Sequence, residues 1–231
     1  MATATPAPLM RGKQGFSEGD AFSSEPVRQA ASKQSDSSSP TRGDVKRHQI
    51  IDAATDVFSQ QGYRAASLRE IAARVGTSHQ GLAYHFASKE ALLLAVLERR
   101  DQLDVEAFGI VRGQGLEALR GLIGLQAKNV RHRRIVELFT QLSAESTQED
   151  HPAHQFFQER YQRVLGEVEC AYQAAQTAGY LRPGTEPAAA AATLVAVMDG
   201  LQIQWLLGRL ADPVAALRTH IAAQLTDSAE L

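Results

Sequence analysis

Cysteine is nearly absent from this chain, because Cys170 is the single one in 231 residues. One thiol cannot form an internal disulfide, so a reduced, cytoplasmic setting is the simplest expectation. Long apolar runs are also lacking, since the longest, residues 188–198, falls well short of the ~20 residues that cross a bilayer. The N-terminal segment MATATPAPLMRGK has no continuous apolar stretch, so we expect no secretory signal. A soluble protein without a membrane partner is predicted.

A large excess of charge of either sign is missing as well, since the net charge is −2. The chain is therefore not a globally basic nucleic-acid binder. Its charges are unevenly placed: residues 41–90 carry seven Lys/Arg and five Asp/Glu, whereas residues 91–231 carry thirteen and seventeen. A mildly basic head on an acidic body fits a protein that reads DNA with the head alone, and a simple scatter of charge is the open alternative.

Proline and glycine are concentrated near the N-terminus. Residues 1–43 contain eight Ser, four Pro and four Gly without apolar periodicity, which predicts a disordered tail. This tail is either a solvated linker or an arm that contacts phosphates or a minor groove. Beyond it, sparse Pro and Gly together with 44% hydrophobic content predict an all-α fold with one or two cores.

The stretch SLREIAARVGTSHQGLAYHFASK, residues 67–89, has the spacing of two short helices joined by a tight turn. Ser67 and Glu70 are placed as a capping box at the start of the first helix. Gly76 is expected to end this helix, and Ser78 to cap the next one. An apolar stripe at helical intervals defines the first helix: Leu68, Ile71, Ala72 and Val75.

The second helix of this pair is predicted over about residues 78–85. It would bury Leu82 and Phe86 and leave a polar face for a ligand. This is the layout of a helix-turn-helix unit, whose second helix enters a major groove of DNA. A helix over about 44–61 is predicted to brace the pair, and a fourth helix is predicted from Ser88.

The run GTSHQGLAYHFASKEALL resembles the recognition segment of the TetR family of transcriptional regulators, and the resemblance spans roughly residues 44–94. Ala83 departs from the family pattern, in which many members carry a bulkier apolar residue. The resemblance implies an all-α protein with a three-helix, helix-turn-helix DNA-binding head at 44–90. It also implies a helical bundle at 91–231 for effector binding and dimerisation, moved against the head through the fourth helix.

The resemblance further implies which residues contact DNA. Positions that grip phosphates in the family are occupied here by Ser67, Tyr84, His85 and Lys89. Positions that face bases are occupied by Arg69, Thr77, His79, Gln80 and Gly81. Ser78 lies on the same surface, although its place favours a capping role. Glutamine can read adenine and arginine can read guanine through paired hydrogen bonds.

Apolar periodicity predicts further helices in the body, over about 115–130, 135–144, 152–178, 187–210 and 213–225. The helix at 187–210 is apolar around most of its circumference, which predicts burial on several sides. The resemblance implies that the last two helices pair with their copies to form a homodimer.

A candidate effector pocket is predicted between body helices, where bundles commonly bind ligands. Met198, Gln202 and Trp205 share one helix face, since they are spaced at i, i+4 and i+7. Aromatic residues at helical spacing also fit a plain core. An aromatic wall would favour an apolar or cationic effector. The candidate lining residues are Phe139, Phe156, Phe157, Tyr161, Met198, Gln202 and Trp205.

Other chemistry is poorly supported by the sequence. Gly113, Gly115 and Ala118 match a loose dinucleotide-binding spacing, but no strand-helix-strand unit surrounds them. His151 and His154 lack the second cluster that a metal site needs. No catalytic set emerges, so we expect no enzyme, cofactor or metal. The sequence predicts a repressor that a small-molecule effector releases from operator DNA, and a helical enzyme and a helical protein-interaction module are the open alternatives.

Overall fold

The computed structural model of this protein describes residues 41–108 and 115–231. Nearly all of the predicted tail, residues 1–43, lies outside the described residues. The described residues form nine α-helices and no sheet, which confirms the all-α prediction; the single β-type contact among them is a bridge between Leu181 and Leu225. The helices are α1 Arg42–Gln61, α2 Leu68–Arg74, α3 His79–His85, α4 Lys89–Phe108, α5 Leu116–Arg131, α6 Arg133–Glu145, α7 His154–Thr177, α8 Pro187–Leu206 and α9 Pro213–Ala222.

Helix α1 begins two residues earlier than predicted because Thr41 caps it. The Thr41 hydroxyl accepts a hydrogen bond from the Asp44 amide at 3.1 Å, and the Asp44 carboxylate accepts one from the Thr41 amide at 3.0 Å. This reciprocal arrangement is a capping box and satisfies two backbone donors. The predicted boundary between residues 43 and 44 therefore falls within the first turn of α1.

The turn between α2 and α3 follows the prediction, whereas the cap at the start of α2 differs from it. Gly76 has a φ of +62°, which lets the chain leave α2, and the Ser78 hydroxyl accepts from the Gly81 amide at 3.0 Å. The Ser67 hydroxyl accepts from the Arg69 amide at 3.2 Å. The capping box predicted for Ser67 and Glu70 is wrong, because the Glu70 carboxylate instead accepts hydrogen bonds from Gln61 and from the guanidinium of Arg74.

The core of the head is shared with the body. Buried side chains of α1 to α4 form one apolar cluster, and the cluster continues into α6 and the start of α7. The predicted boundary at residues 90/91 falls at the beginning of α4, where no break in packing occurs. Helices α1 to α3 are too small to bury their apolar side chains unaided, so α4 and the helices after it complete their core. Beyond α4, the residues of this cluster are Leu138, Phe139, Leu142, Ala153 and Phe157.

A second apolar cluster lies between α5, the latter part of α7, α8 and α9. Leu194 of α8 is fully buried there, whereas Ile203 and Leu207 at the other end are 44% and 69% exposed. The prediction that α8 is buried on several sides is therefore wrong within one chain, since one face remains open. The helix also ends at Leu206, before Gly208 with a φ of +69°.

By length and composition, α8 could also cross a membrane, which the count of uninterrupted apolar residues did not detect. It has 20 residues with a mean hydropathy of 1.3. However, α8 shares an apolar cluster with α5, α7 and α9, and its Asp199 accepts a hydrogen bond from the Tyr161 hydroxyl of α7. These are the contacts of a core helix with one open side.

Candidate nucleic-acid interface and ligand cavity

The apolar side of α3 packs against the other helices of the head, so the polar side of α3 faces outward. Leu82 is fully buried, and Phe86 just beyond the helix is 4% exposed. The candidate DNA contacts fall into two groups by their exposure. Those that are exposed are Ser67, Arg69, Ser78, His79, Gln80 and Tyr84. Those that are half-buried are Thr77, Gly81, His85 and Lys89.

Tyr84 is the most exposed of the large apolar and aromatic side chains of the described residues, at 87%. Its ring meets His85 edge to face, with the centroids 5.3 Å apart, and none of the side-chain hydrogen bonds of the described residues includes its hydroxyl. An aromatic ring with a polar tip in this position can place its hydroxyl on a phosphate while the ring packs along a groove wall.

Gly81 leaves room for the Thr77 hydroxyl beside α3. A Cβ atom added there would lie 2.4 Å from the Thr77 hydroxyl oxygen, well inside contact distance. Any side chain at this position would displace the Thr77 hydroxyl, so Gly81 sets the surface that Thr77 presents. The sequence placed both residues among the base-facing positions, and the structure adds that they constrain each other.

Lys89 is oriented differently from the sequence expectation of a simple phosphate grip. Its Nζ donates to the Arg64 carbonyl oxygen at 2.9 Å and lies 4.7 Å from the centroid of the Tyr63 ring. Burial lowers the pKa of Lys89. The ammonium thus ties α4 to the loop between α1 and α2, and only its remaining donors are available for DNA.

We predict that Lys89→Ala has two separable effects. Loss of one phosphate contact per protomer should reduce the slope of log affinity against log salt by about 1 for each protomer, equally on operator and scrambled duplex. Loss of the bond to Arg64 should lower stability by about 1 kcal/mol. Fluorescence anisotropy at several salt concentrations and thermal unfolding measure these effects, with Arg182→Ala on the body as the control. An unchanged salt slope with lowered stability would assign Lys89 to head structure alone.

A cavity of about 410 Å³ lies between α4, α5, α6, α7 and α8. Five of the seven candidate pocket residues line it: Phe139, Phe157, Tyr161, Met198 and Gln202. The other two lie outside its lining. Phe156 packs edge to face on Phe157, with the ring centroids 5.3 Å apart. Trp205 lies seven residues beyond Met198, about 10 Å along the helix, and there it packs under the guanidinium of Arg133 at 5.0 Å.

The sequence reasoning missed the charged residues of this cavity. Asp101 on α4 is bridged by the Nε of Arg160 at 2.9 Å and an Nη of Arg163 at 2.7 Å. Asp104, one turn further, pairs with Lys128 and Arg100. The sequence does contain a signal for these charged residues, because they occur in pairs spaced at i, i+3. The pairs are Asp101 with Asp104 and Arg160 with Arg163, on helices that otherwise contribute to the core.

Two carboxylates of the cavity wall, Glu167 and Asp199, lie outside these ion pairs, and Asp199 is held by a side-chain hydrogen bond. It accepts a hydrogen bond from the Tyr161 hydroxyl at 2.8 Å, and none of the ion pairs among the described residues includes it. Burial raises the pKa of Asp199, and burial together with this carboxylate raises the pKa of Tyr161 to about 12. The cavity therefore contains a carboxylate that is partly desolvated and has room for a further partner.

The end of α6 connects the cavity with the head. Ala144 and Thr147 line the cavity, and Glu145 between them lies 3.6 Å from the guanidinium of Arg64 in the α1–α2 loop. His151 lies 3.7 Å from the same carboxylate, and its ring meets that of Tyr63 at 6.5 Å. The walls of the cavity are thus within one residue of head contacts.

The two histidines after α6, His151 and His154, both contact Ser146 within the same loop region. His151 and the Ser146 hydroxyl are 2.9 Å apart, and His154 lies 2.8 Å from the Ser146 carbonyl oxygen. No group of three or more potential metal ligands occurs in the described ranges, 41–108 and 115–231. These hydrogen bonds explain the histidine pair as a structural feature of the loop.

Two family models match this chain. Residues 50–96 match the model described as bacterial regulatory proteins, tetR family, and residues 116–228 match the model described as BetI-type transcriptional repressor, C-terminal. The tetR-family match begins within α1, and the BetI-type match ends beyond α9. Together the two matches cover most of the head and most of the body.

Individual relatives agree with these matches. The transcriptional activator FasR of Mycolicibacterium smegmatis is 50% identical over 56 residues, which are 24% of this chain and 26% of FasR. The A-factor receptor protein of Streptomyces griseus is 29% identical over 157 residues, 67% of this chain and 52% of the receptor. The chain thus spans about a quarter to a half of the length of these curated relatives. A solved regulator from Saccharomonospora viridis in complex with choline is 26% identical with a TM-score of 0.66, covering 77% of this chain and 93% of that one.

Proposed function

Because this chain belongs to the TetR family of bacterial regulatory proteins, we propose that it is a cytoplasmic repressor that binds operator DNA through α2 and α3. The observation that carries this proposal is the exposed polar side of α3, held outward by buried Leu82. An effector bound in the cavity would release the DNA. Membership of a family of regulators agrees with the expectation that the chain is not an enzyme.

A homodimer through α8 and α9 completes the proposal. Exposed residues on α8 form one stripe along the helix, and small side chains in its first half would allow a second helix to approach closely. Dimerisation is typical of the family. A two-fold dimer would present two copies of α3 to two operator half-sites. The stripe consists of Ala189, Ala192, Ala196, Ile203 and Leu207.

The shared core offers a direct route from the effector to the DNA surface. Phe139 and Phe157 line the cavity and also belong to the apolar cluster of the head. A close-packed core changes its arrangement rather than deforming gradually, so a ligand that moves either ring must shift the head. The contact between Glu145 and Arg64 supports the same route along α6.

The proposal is tested with the full chain and the DNA that lies upstream of its own gene. We expect one fragment to bind at least about 10³-fold more tightly than a scrambled duplex in fluorescence anisotropy. An effector that weakens this complex must itself bind more weakly to the complex, by the same factor. Equal affinity for every duplex at physiological salt would contradict the proposed operator binding.

A further inference from the structure

The arginines around the cavity already have partners, which bears on the charge of the ligand. Arg160 and Arg163 both contact Asp101, and Arg100 contacts Asp104 and donates to the Asn129 side chain at 3.2 Å. An anionic ligand would have to compete with these carboxylates. Asp199, in contrast, has the Tyr161 hydroxyl on one oxygen and no ion-pair partner in the described residues. Asp199 is therefore a carboxylate of the wall that lies outside the ion pairs, although Arg160 acts on it electrostatically.

Two aromatic rings of the cavity, those of Phe139 and Tyr161, each have one of these arginines against a face. The guanidinium of Arg100 lies 3.7 Å from the centroid of the Phe139 ring, and that of Arg160 lies 5.7 Å from the Tyr161 ring. These two faces are not available to hold a quaternary ammonium group by cation–π contact. A ligand cation has to be met by the Asp199 carboxylate, which accepts hydrogen bonds from N–H groups.

Apolar side chains form another part of the wall, and the cavity is large enough for a small organic body. Val105, Leu122, Leu125 and Val195 contribute side chains to the cavity of about 410 Å³. This size is within the range of sites for drug-sized molecules. A cation at Asp199 would also offset the desolvation that now disfavours the carboxylate.

We propose that the cavity binds an amphipathic protonated amine, whose N–H group donates to Asp199 while its apolar part lies between Phe157, Leu122 and Val195. This inference rests on the proposed role of the cavity as the effector site. It differs from the sequence expectation of cation–π recognition, because the proposed recognising group is a carboxylate. Gln202, three residues from Asp199 on α8, lines the same wall with a second acceptor for the amine.

Four ligands of one shape test the proposal by titration calorimetry on the full chain. They are 4-phenylbutylamine, its N,N,N-trimethylammonium derivative, 4-phenylbutanol and 4-phenylbutanoate. We expect the amine to bind at least about 10-fold more tightly than each of the others, because a hydrogen bond to a charged group has this strength. Equal binding of amine and alcohol, stronger binding of the trimethyl derivative or the carboxylate, or no binding of any of the four would overturn it.

Two variants locate the charge that the amine meets. Asp199→Asn should lose about 10- to 100-fold in affinity for the amine and keep its affinity for the alcohol. Glu167→Gln is the matched control, since Glu167 lines the same cavity and its substitution removes the same charge. Equal losses in both variants would reduce the effect to general electrostatics and refute a specific role for Asp199. Retained alcohol binding shows that each variant is folded.

The failure of this inference is distinguishable from failure of the proposed function. The titrations contain no DNA, and the anisotropy experiment contains no amine. A chain that binds one operator fragment but prefers the alcohol or the carboxylate would keep the proposed repressor and lose the amine.

Discussion

Replacing Ala196 with arginine should convert the proposed dimer into a monomer and weaken operator binding by at least about 100-fold. Ala196 is exposed in the middle of α8, on the stripe that begins at Ala189 and ends at Leu207. Two-fold symmetry would place the new arginine in the interface twice, and each buried, unpaired charge is strongly destabilising. Sedimentation velocity measures the assembly, and fluorescence anisotropy measures the affinity for operator.

The control for this variant is Ala107→Arg. Ala107 is also exposed on a helix, α4, but lies outside α8 and α9. The Ala107→Arg variant should remain dimeric and bind operator as the unmodified chain does. A dimeric Ala196→Arg would exclude this stripe as the interface, and a monomeric Ala107→Arg would indicate a nonspecific effect of added charge.

The geometry of the head was largely predictable because its signals are local. Gly76 with its positive φ, the Ser78 cap and buried Leu82 each act within a few residues, and together they place the polar side of α3 outward. The start of α1 was missed by two residues because Thr41 was not recognised as a cap. Such errors move a boundary without changing the fold.

Neighbours that the spacing alone does not reveal decide what Glu70 and Lys89 contact within the head. Glu70 fits a capping box by spacing, but Gln61 and Arg74 compete for its carboxylate. Lys89 fits a phosphate grip, but the Arg64 carbonyl and the Tyr63 ring occupy part of its ammonium. Spacing along one segment cannot show a competitor that arrives from another segment.

Three of the five aromatic residues predicted for the cavity line it, whereas its charged residues were not predicted. Phe139, Phe157 and Tyr161 line it as expected, because stripes on facing helices converge between them. The role of Asp199 depends on which other carboxylates have an arginine, and this requires the positions of three helices at once. The open side of α8 has a similar origin, since a surface proposed to pair with a second copy looks like a core stripe in the sequence.

Gln80→Ala should cost on the order of 1–3 kcal/mol on the operator and leave scrambled duplex almost unchanged. Gln80 is exposed in the first turn of α3, the part of a recognition helix that reaches deepest into a major groove. Its amide can donate to and accept from one adenine edge, which gives sequence discrimination that phosphate contacts do not provide. Anisotropy titrations on both duplexes at several salt concentrations measure the operator-to-scrambled ratio, which should fall about 5- to 150-fold with no change in salt slope.

The control is Gln176→Ala, which removes an exposed glutamine side chain from α7 of the body and should not change either affinity. A further variant, Tyr84→Phe, separates the two kinds of contact on α3 itself. Loss of the Tyr84 hydroxyl should weaken both duplexes equally, because a phosphate contact is independent of sequence. If Gln80→Ala left the ratio of affinities intact, Gln80 would be only a solvated helix residue, and Arg69 and His79 would be the remaining exposed side chains able to read bases.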